Sequence, residues 1–318
     1  MFNQIVALFF TGVLLLLTPV NYVLAASDFA IGKKALDNKD YLAAVKAFRA
    51  GVAKGDKLSA NALGEMYILG LGLGRDPVIA CKLFFKGAQR GDLVAQHNYG
   101  ICVAKGKGGN LNAVEAVKWF NKAIKGGHKP AFCSLGNMYI VGEAGKKDPK
   151  RGFDLCMKGA LAGDTKAAAS IGEFYLLGIG TVRNPKKAYK WLKKAGDKQH
   201  PSAAYNLGVM YLNGDGVKKS MDSARRWLTV SALQRHQIAY EAVARLYRDE
   251  VIELLRNEQI DMRMTRWAIV FMSLARSIQT SRKERSTYAT LIDQFSQLSP
   301  KARRLADEDL SKWNASKR

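Results

Sequence analysis

Four histidines, four cysteines and a large excess of cations are the residues of this 318-residue chain best suited to chemistry. His97, His128, His200 and His236 stand far apart in sequence, and no His, Cys, Asp and Glu grouping has the spacing of a metal site. We therefore expect neither metal nor cofactor, and read His128, His200 and His236 as surface turn residues. Cys81, Cys102, Cys133 and Cys156 contain no C-x-x-C pair, so dithiol redox chemistry has no motif. No serine has a lysine three positions on, and K-T-G, G-x-S-x-G and G-x-x-x-x-G-K-[ST] are absent. A serine nucleophile with an adjacent base, or a loop that cradles phosphate, thus lacks its signal. What remains is charge. Fifty Lys and Arg against 27 Asp and Glu give +23 at pH 7, a balance that attracts acidic proteins, anionic lipid or acidic glycans.

The cations recur in register. Lys46, Lys82, Lys118, Lys190 and Arg226 occupy one column with a step of 36, interrupted by Asp154. Four residues on come Lys86, Lys122, Lys158 and Lys194. Positions i and i+4 share a helix face, so the two columns predict a basic ridge. A plain solvated face is the alternative, and such faces usually mix signs more evenly.

A fixed step over so many positions implies repeated elements. Gly64, Gly100, Gly136, Gly172 and Gly208 form one landmark column, and Gly70, Gly106, Gly142, Gly178 and Gly214 a second. In the unit Ser59 to Gly91, apolar and small residues at helical spacing (Ala60, Leu63, Gly64, Tyr67) predict a first helix, A. Gly70, Gly72 and Gly74 break it. A second helix, B, follows a column of preferred N-caps: Asp40, Asp76, Asn112, Asp148, Asn184 and Ser220. Pro77, Pro149 and Pro185 stand next, at the helical position where a missing N–H costs nothing. Ala80, Phe84 and Gly87 make a small–large–small packing stripe on helix B. One hairpin cannot bury its apolar face alone, so neighbours must stack.

The stretches LGEMYILGLGLGRDPVIACKLFFKGAQRG, IGEFYLLGIGTVRNPKKAYKWLKKAG and LGVMYLNGDGVKKSMDSARRWL resemble Sel1-like repeats, relatives of the tetratricopeptide repeat. The resemblance covers residues 57–236 as five units. It implies an all-α fold, an α-solenoid wound as a right-handed superhelix, working as an adaptor. In tetratricopeptide relatives helix A lines an inner groove. Carried over, that groove includes Asn61 and Glu65; His97 and Ile101; Asn137 and Ile140; Glu173; and Tyr205 and Val209. Some exported relatives staple helices with cysteine pairs, but the spacings here (21, 31 and 23) do not match that arrangement. Pairing stays open; we favour small buried hydrophobes.

Flanking segments complete the reading. Residues 1–25 read as a signal peptide, with Ile5–Leu17 as its apolar run and Val23-Leu24-Ala25 before the cut. An uncleaved anchor is the alternative, although the run is short for a span of about 20 residues. Residues 26–56 look like a tetratricopeptide-type capping repeat, because Gly32 lies only twelve positions before Ala44. Residues 237–318 are expected to hold a degenerate sixth repeat and a helical cap, with polar Thr280–Ser286 between helices. The expected protein is an exported, non-enzymatic scaffold, periplasmic or secreted, that takes a protein or peptide segment in its groove. Its basic residues favour acidic partners, and nucleic acid is not expected. Attachment to anionic lipid or polysaccharide through the ridge is the alternative; a weak cell-wall or β-lactam hydrolase is a third reading without a motif.

Overall fold

A computed structural model describes residues 26–109, 111–256, 261–279 and 282–316. The expected signal peptide, residues 1–25, lies outside the described residues. Among the described residues there are sixteen α-helices and no strand. The chain is an all-α solenoid. An N-terminal pair, α1 (Asp28–Asp37) and α2 (Tyr41–Ala53), precedes five A/B pairs. These are α3 (Lys57–Leu69) with α4 (Pro77–Gln89), α5 (Leu93–Ala104) with α6 (Ala113–Lys125), and α7 (Pro130–Val141) with α8 (Pro149–Leu161). Then come α9 (Thr165–Leu177) with α10 (Pro185–Gly196), and α11 (Pro201–Asn213) with α12 (Met221–Leu233). The C-terminal part is α13 (Gln237–Arg256), α14 (Met262–Ile278), α15 (Arg282–Leu298) and α16 (Pro300–Ala315).

Local chemistry sets these boundaries. All six expected caps of helix B accept a hydrogen bond from the first turn, for example Asp76 from the Val78 and Ile79 amides. Helix A has its own cap column, Asp56, Asp92, Asp164 and His200, which starts α3 at Lys57 rather than near Ala60. Gly70 closes α3 in the left-handed region at φ 73°, where an L side chain would be strained. Between the helices, the landmark glycines admit the large residue of helix B. A Cβ at Gly64 would lie 2.6 Å from the Phe84 ring, and one at Gly100 would lie 2.7 Å from Phe120. Leu192 and Leu228 meet Gly172 and Gly208 in the same way.

The cysteines correct the sequence reading, because they pair. Cys81 on α4 is bonded to Cys102 on α5, and Cys133 on α7 to Cys156 on α8. Each pair occupies a contact made by other side chains in other repeats. Phe153 and Phe174, two repeats after Cys81 and Cys102, face one another with ring centroids 6.4 Å apart. His97 and Phe120, one repeat before Cys133 and Cys156, stand 5.7 Å apart. In the third repeat the loss of a large residue at Cys156 is met by a closer approach of the helices. Gly136 and Gly152 each face the other's carbonyl oxygen, and the Cys133 and Cys156 Cα atoms are 4.0 Å apart.

The cap departs from the repeat in geometry but continues its core. Leu228 and Ala232 of α12 share one apolar cluster with Val243, Phe271, Ile292 and Ala306. Arg266 on α14 clamps Asp309 on α16 through two 2.6 Å hydrogen bonds. The charged segment expected between helices is itself helical from Arg282, since straight-chain Lys, Arg and Glu lose little rotamer freedom in a helix.

Candidate functional site: the concave face of helices A

From α1 to α11, each helix A touches helix A of the next repeat as well as its own helix B. Successive helices B make no comparable contact. Helices A therefore sit on the tighter, concave side. Between α5, α7 and α9 this side opens a cavity of about 980 Å³. His97, Ile101 and Asn137, three of the expected groove residues, line it together. Glu65 and Ile101 also face a smaller cavity of about 260 Å³ one repeat earlier. Ile140 turns inward instead, against Gly152. Tyr205 lies edge-on to His236 at 5.4 Å and packs on the C-terminal core. Val209 is half-buried outside either cavity.

A column two residues before the landmark glycine, which sequence reasoning passed over, joins these side chains across repeats. It reads Ala62, Asn98, Ser134, Ser170 and Asn206. The Asn98 amide donates to Asn61 Oδ1 at 3.0 Å and to Glu65 Oε1 at 3.4 Å. The Asn206 amide donates to Glu173 Oε1 at 3.1 Å. Ser134 Oγ lies 2.8 Å from His97 Nε2 and 3.3 Å from the Pro130 carbonyl. With the hydroxyl donating to that carbonyl, Oγ is left to accept from the His97 Nε2–H. Polar residues in register on a helix expected to face a groove were the available signal.

Burial shapes the electrostatics here. Desolvation, then His128 and Lys166, holds His97 down to about 4. The His128 ring stands 4.9 Å from it. Burial also lowers His128 against the opposite pull of Asp92 and Asp164, and its Nε2 is enclosed without a hydrogen-bond partner. Both imidazoles are neutral at pH 7, so they join Asn98, Ser134, Asn137 and Ser170 as uncharged polar groups of the lining, beside the charged Lys129, Asp164 and Lys166. His128, His200 and His236 are half-buried rather than free on turns. His200 caps α11 through the Ala203 amide, and His236 Nδ1 lies 3.0 Å from Ser231 Oγ. Glu173 is raised by burial, opposed by its bond to Asn206. Among the described residues no group of three His, Cys, Asp or Glu side chains is placed to hold a metal ion.

The ridge cations occupy helix B. Lys46, Lys82, Lys86, Lys118, Lys122, Lys158, Lys190, Lys194 and Arg226 are all exposed. None takes part in the ion pairs found among the described residues. Lys122 sits over the Trp119 ring at 4.1 Å and Lys194 over Trp191 at 5.1 Å, which fixes their stems on the surface.

No curated protein matches the chain. Among solved structures it is similar to a Sel1 repeat protein from Oxalobacter formigenes, at 26% identity and a TM-score of 0.60, over 81% of this chain and 98% of that one. It also shares the fold of a protective antigen from uropathogenic Escherichia coli strains that displays an SLR fold, at 22% identity and a TM-score of 0.61. That match covers 88% of this chain and 63% of the antigen. The Sel1 repeat matches residues 57–92, 93–128, 133–164, 165–200 and 201–236. With more than half of its length in those five units, the chain belongs to the Sel1 repeat family.

Proposed function

We propose that this protein is a non-enzymatic, exported adaptor that holds a segment of another protein along the concave face of its helices A. Sel1 repeat proteins generally mediate protein–protein interactions, and their fold is typically a scaffold. The observation that carries the reading is the cavity of about 980 Å³, to which three consecutive repeats contribute uncharged hydrogen-bonding side chains. Asn98, Ser134, Asn137 and Ser170 suit an extended or amphipathic segment whose backbone needs donors and acceptors, while Ile101 and Val94 offer apolar contact. The net charge of +23 adds steering toward acidic partners. The proposed setting is the bacterial envelope or the medium outside it, following the leader expected in residues 1–25.

The test is affinity capture from envelope extract, washed at low and then high salt. One or two proteins that survive high salt with the native chain, and are lost with Asn137→Ala, are expected. A broad collection that washes away at high salt would instead favour the second reading, an envelope protein held to anionic polysaccharide or lipid through helix B. Nine exposed ridge cations outside the described ion pairs support that alternative.

A further inference from the structure

The edge of the solenoid that carries the glycine loops borders the groove at Leu69 and the ridge at Val114, and it has its own composition. Nine large aliphatic side chains among the described residues are 60% or more exposed, and seven of them lie on this edge. Leu69 (66%), Val141 (60%) and Leu177 (71%) end helices A; Leu42 and Val114 open helices B; Leu111 (65%) and Val182 (84%) stand in the loops. Three of the five loops rest on the first turn of the preceding helix B. Gly72 lies against Tyr41, Gly180 against Pro149 and Gly216 against Pro185. The same segments are basic. Residues 70–78, 105–114, 142–150, 178–187 and 214–222 hold eleven Lys and Arg against five Asp and Glu. Two of those acids, Asp76 and Asp148, cap helices, and two of the cations are paired, Arg183 with Asp215 and Lys150 with Asp154, which leaves nine cations outside the described ion pairs.

We propose that this edge docks on an anionic lipid surface, with the aliphatic side chains entering the headgroup boundary and the cations meeting lipid phosphates. An isolated exposed leucine needs no explanation, but an aligned set at one edge does. The composition favours lipid over a protein partner. Protein interfaces are rich in aromatics and poor in Lys, whereas none of these exposed apolar side chains is aromatic and Lys dominates the cations. Polysaccharide would engage the charge and leave the aliphatics in water. Aliphatics flanked by cations are what binding in the plane of an anionic interface requires. None of these seven side chains lines the larger concave cavity, so a docked molecule leaves that cavity free for a partner.

The experiment is hydrogen exchange of the full chain with phosphatidylcholine vesicles, with and without phosphatidylglycerol. Slower exchange in 69–78, 141–150 and 177–187, only with phosphatidylglycerol, is expected. The variant Leu69→Ser/Leu177→Ser/Val182→Ser should bind those vesicles at least about tenfold more weakly, with an unchanged thermal unfolding curve. Protection confined to helices B around Lys190 and Lys194 would overturn the proposal. So would equal vesicle binding by the variant, which would assign attachment to another segment such as residues 1–25. Capture of a protein through this edge, with exchange unaltered by vesicles, would overturn it as well.

Discussion

At the scale of single residues, His97 makes the fold sensitive to mild acid. Its folded value of about 4 lies below the ordinary 6.5, so between those limits the unfolded chain binds more protons than the native one. Its contribution is fully present above pH 6.5 and is lost as pH falls toward 4. Up to about 3 kcal/mol is at stake, and a His97→Gln variant should flatten the fall in urea midpoint across that window. The landmark glycine gives a second prediction. A methyl at Gly100 would strike the Phe120 ring, so Gly100→Ala should cost about 1–3 kcal/mol by denaturant unfolding. Legibility at this scale followed the range of the interaction. Asp76 was readable as a cap because its partners are two and three residues away. His97 was readable as a groove position but its contacts were not, since Ser134 and His128 lie a repeat away and become neighbours only through stacking.

At the scale of elements, each disulfide ties two helices that already pack. Cys81–Cys102 joins helix B of one repeat to helix A of the next, and Cys133–Cys156 closes a hairpin within its repeat. With separations of 21 and 23 residues, chain entropy assigns about 3 kcal/mol to each. The replacement Cys133→Ala/Cys156→Ala should lower the unfolding midpoint more than Cys81→Ala/Cys102→Ala. The former removes sulfur from the central position that Phe84, Phe120, Leu192 and Leu228 fill in the other repeats, and α7 and α8, already in backbone contact at Gly136 and Gly152, cannot close further. Calorimetry of the two variants checks the order. Raw spacing hid these bonds; columns reveal them. Cys81 and Cys102 align with the facing pair Phe153 and Phe174, and Cys133 and Cys156 with His97 and Phe120. The helices themselves were legible because cap, proline and glycine punctuation is local and repeats five times. The helical start at Arg282 was not, because polar sequence marks loops and exposed helices alike.

At the scale of the whole molecule, stability runs along one dimension, each repeat buried by its neighbours. The C-terminal cap closes that line. Removing residues 261–318 would uncover Tyr240, Val243 and Tyr247 on α13, and the truncated chain should aggregate, as light scattering would register. The period of 36 made this architecture legible, and the family's helix A pattern pointed to a groove of mixed, rather apolar residues; its polar column at Asn98, Ser134, Ser170 and Asn206 was missed. Which groove residues converge was not legible, because it depends on the curvature that stacks α5, α7 and α9 around one cavity. The central claim is that a protein segment occupies that cavity. The measurement that tests it most directly is site-specific photo-crosslinking in the native cell, with the reactive side chain placed at Asn137 in the groove or at Lys190 on the ridge. A discrete protein adduct at Asn137 that persists at high salt, and is absent at Lys190, is the predicted result. Adducts at Lys190 with none at Asn137 would contradict the account and return the function to the basic face.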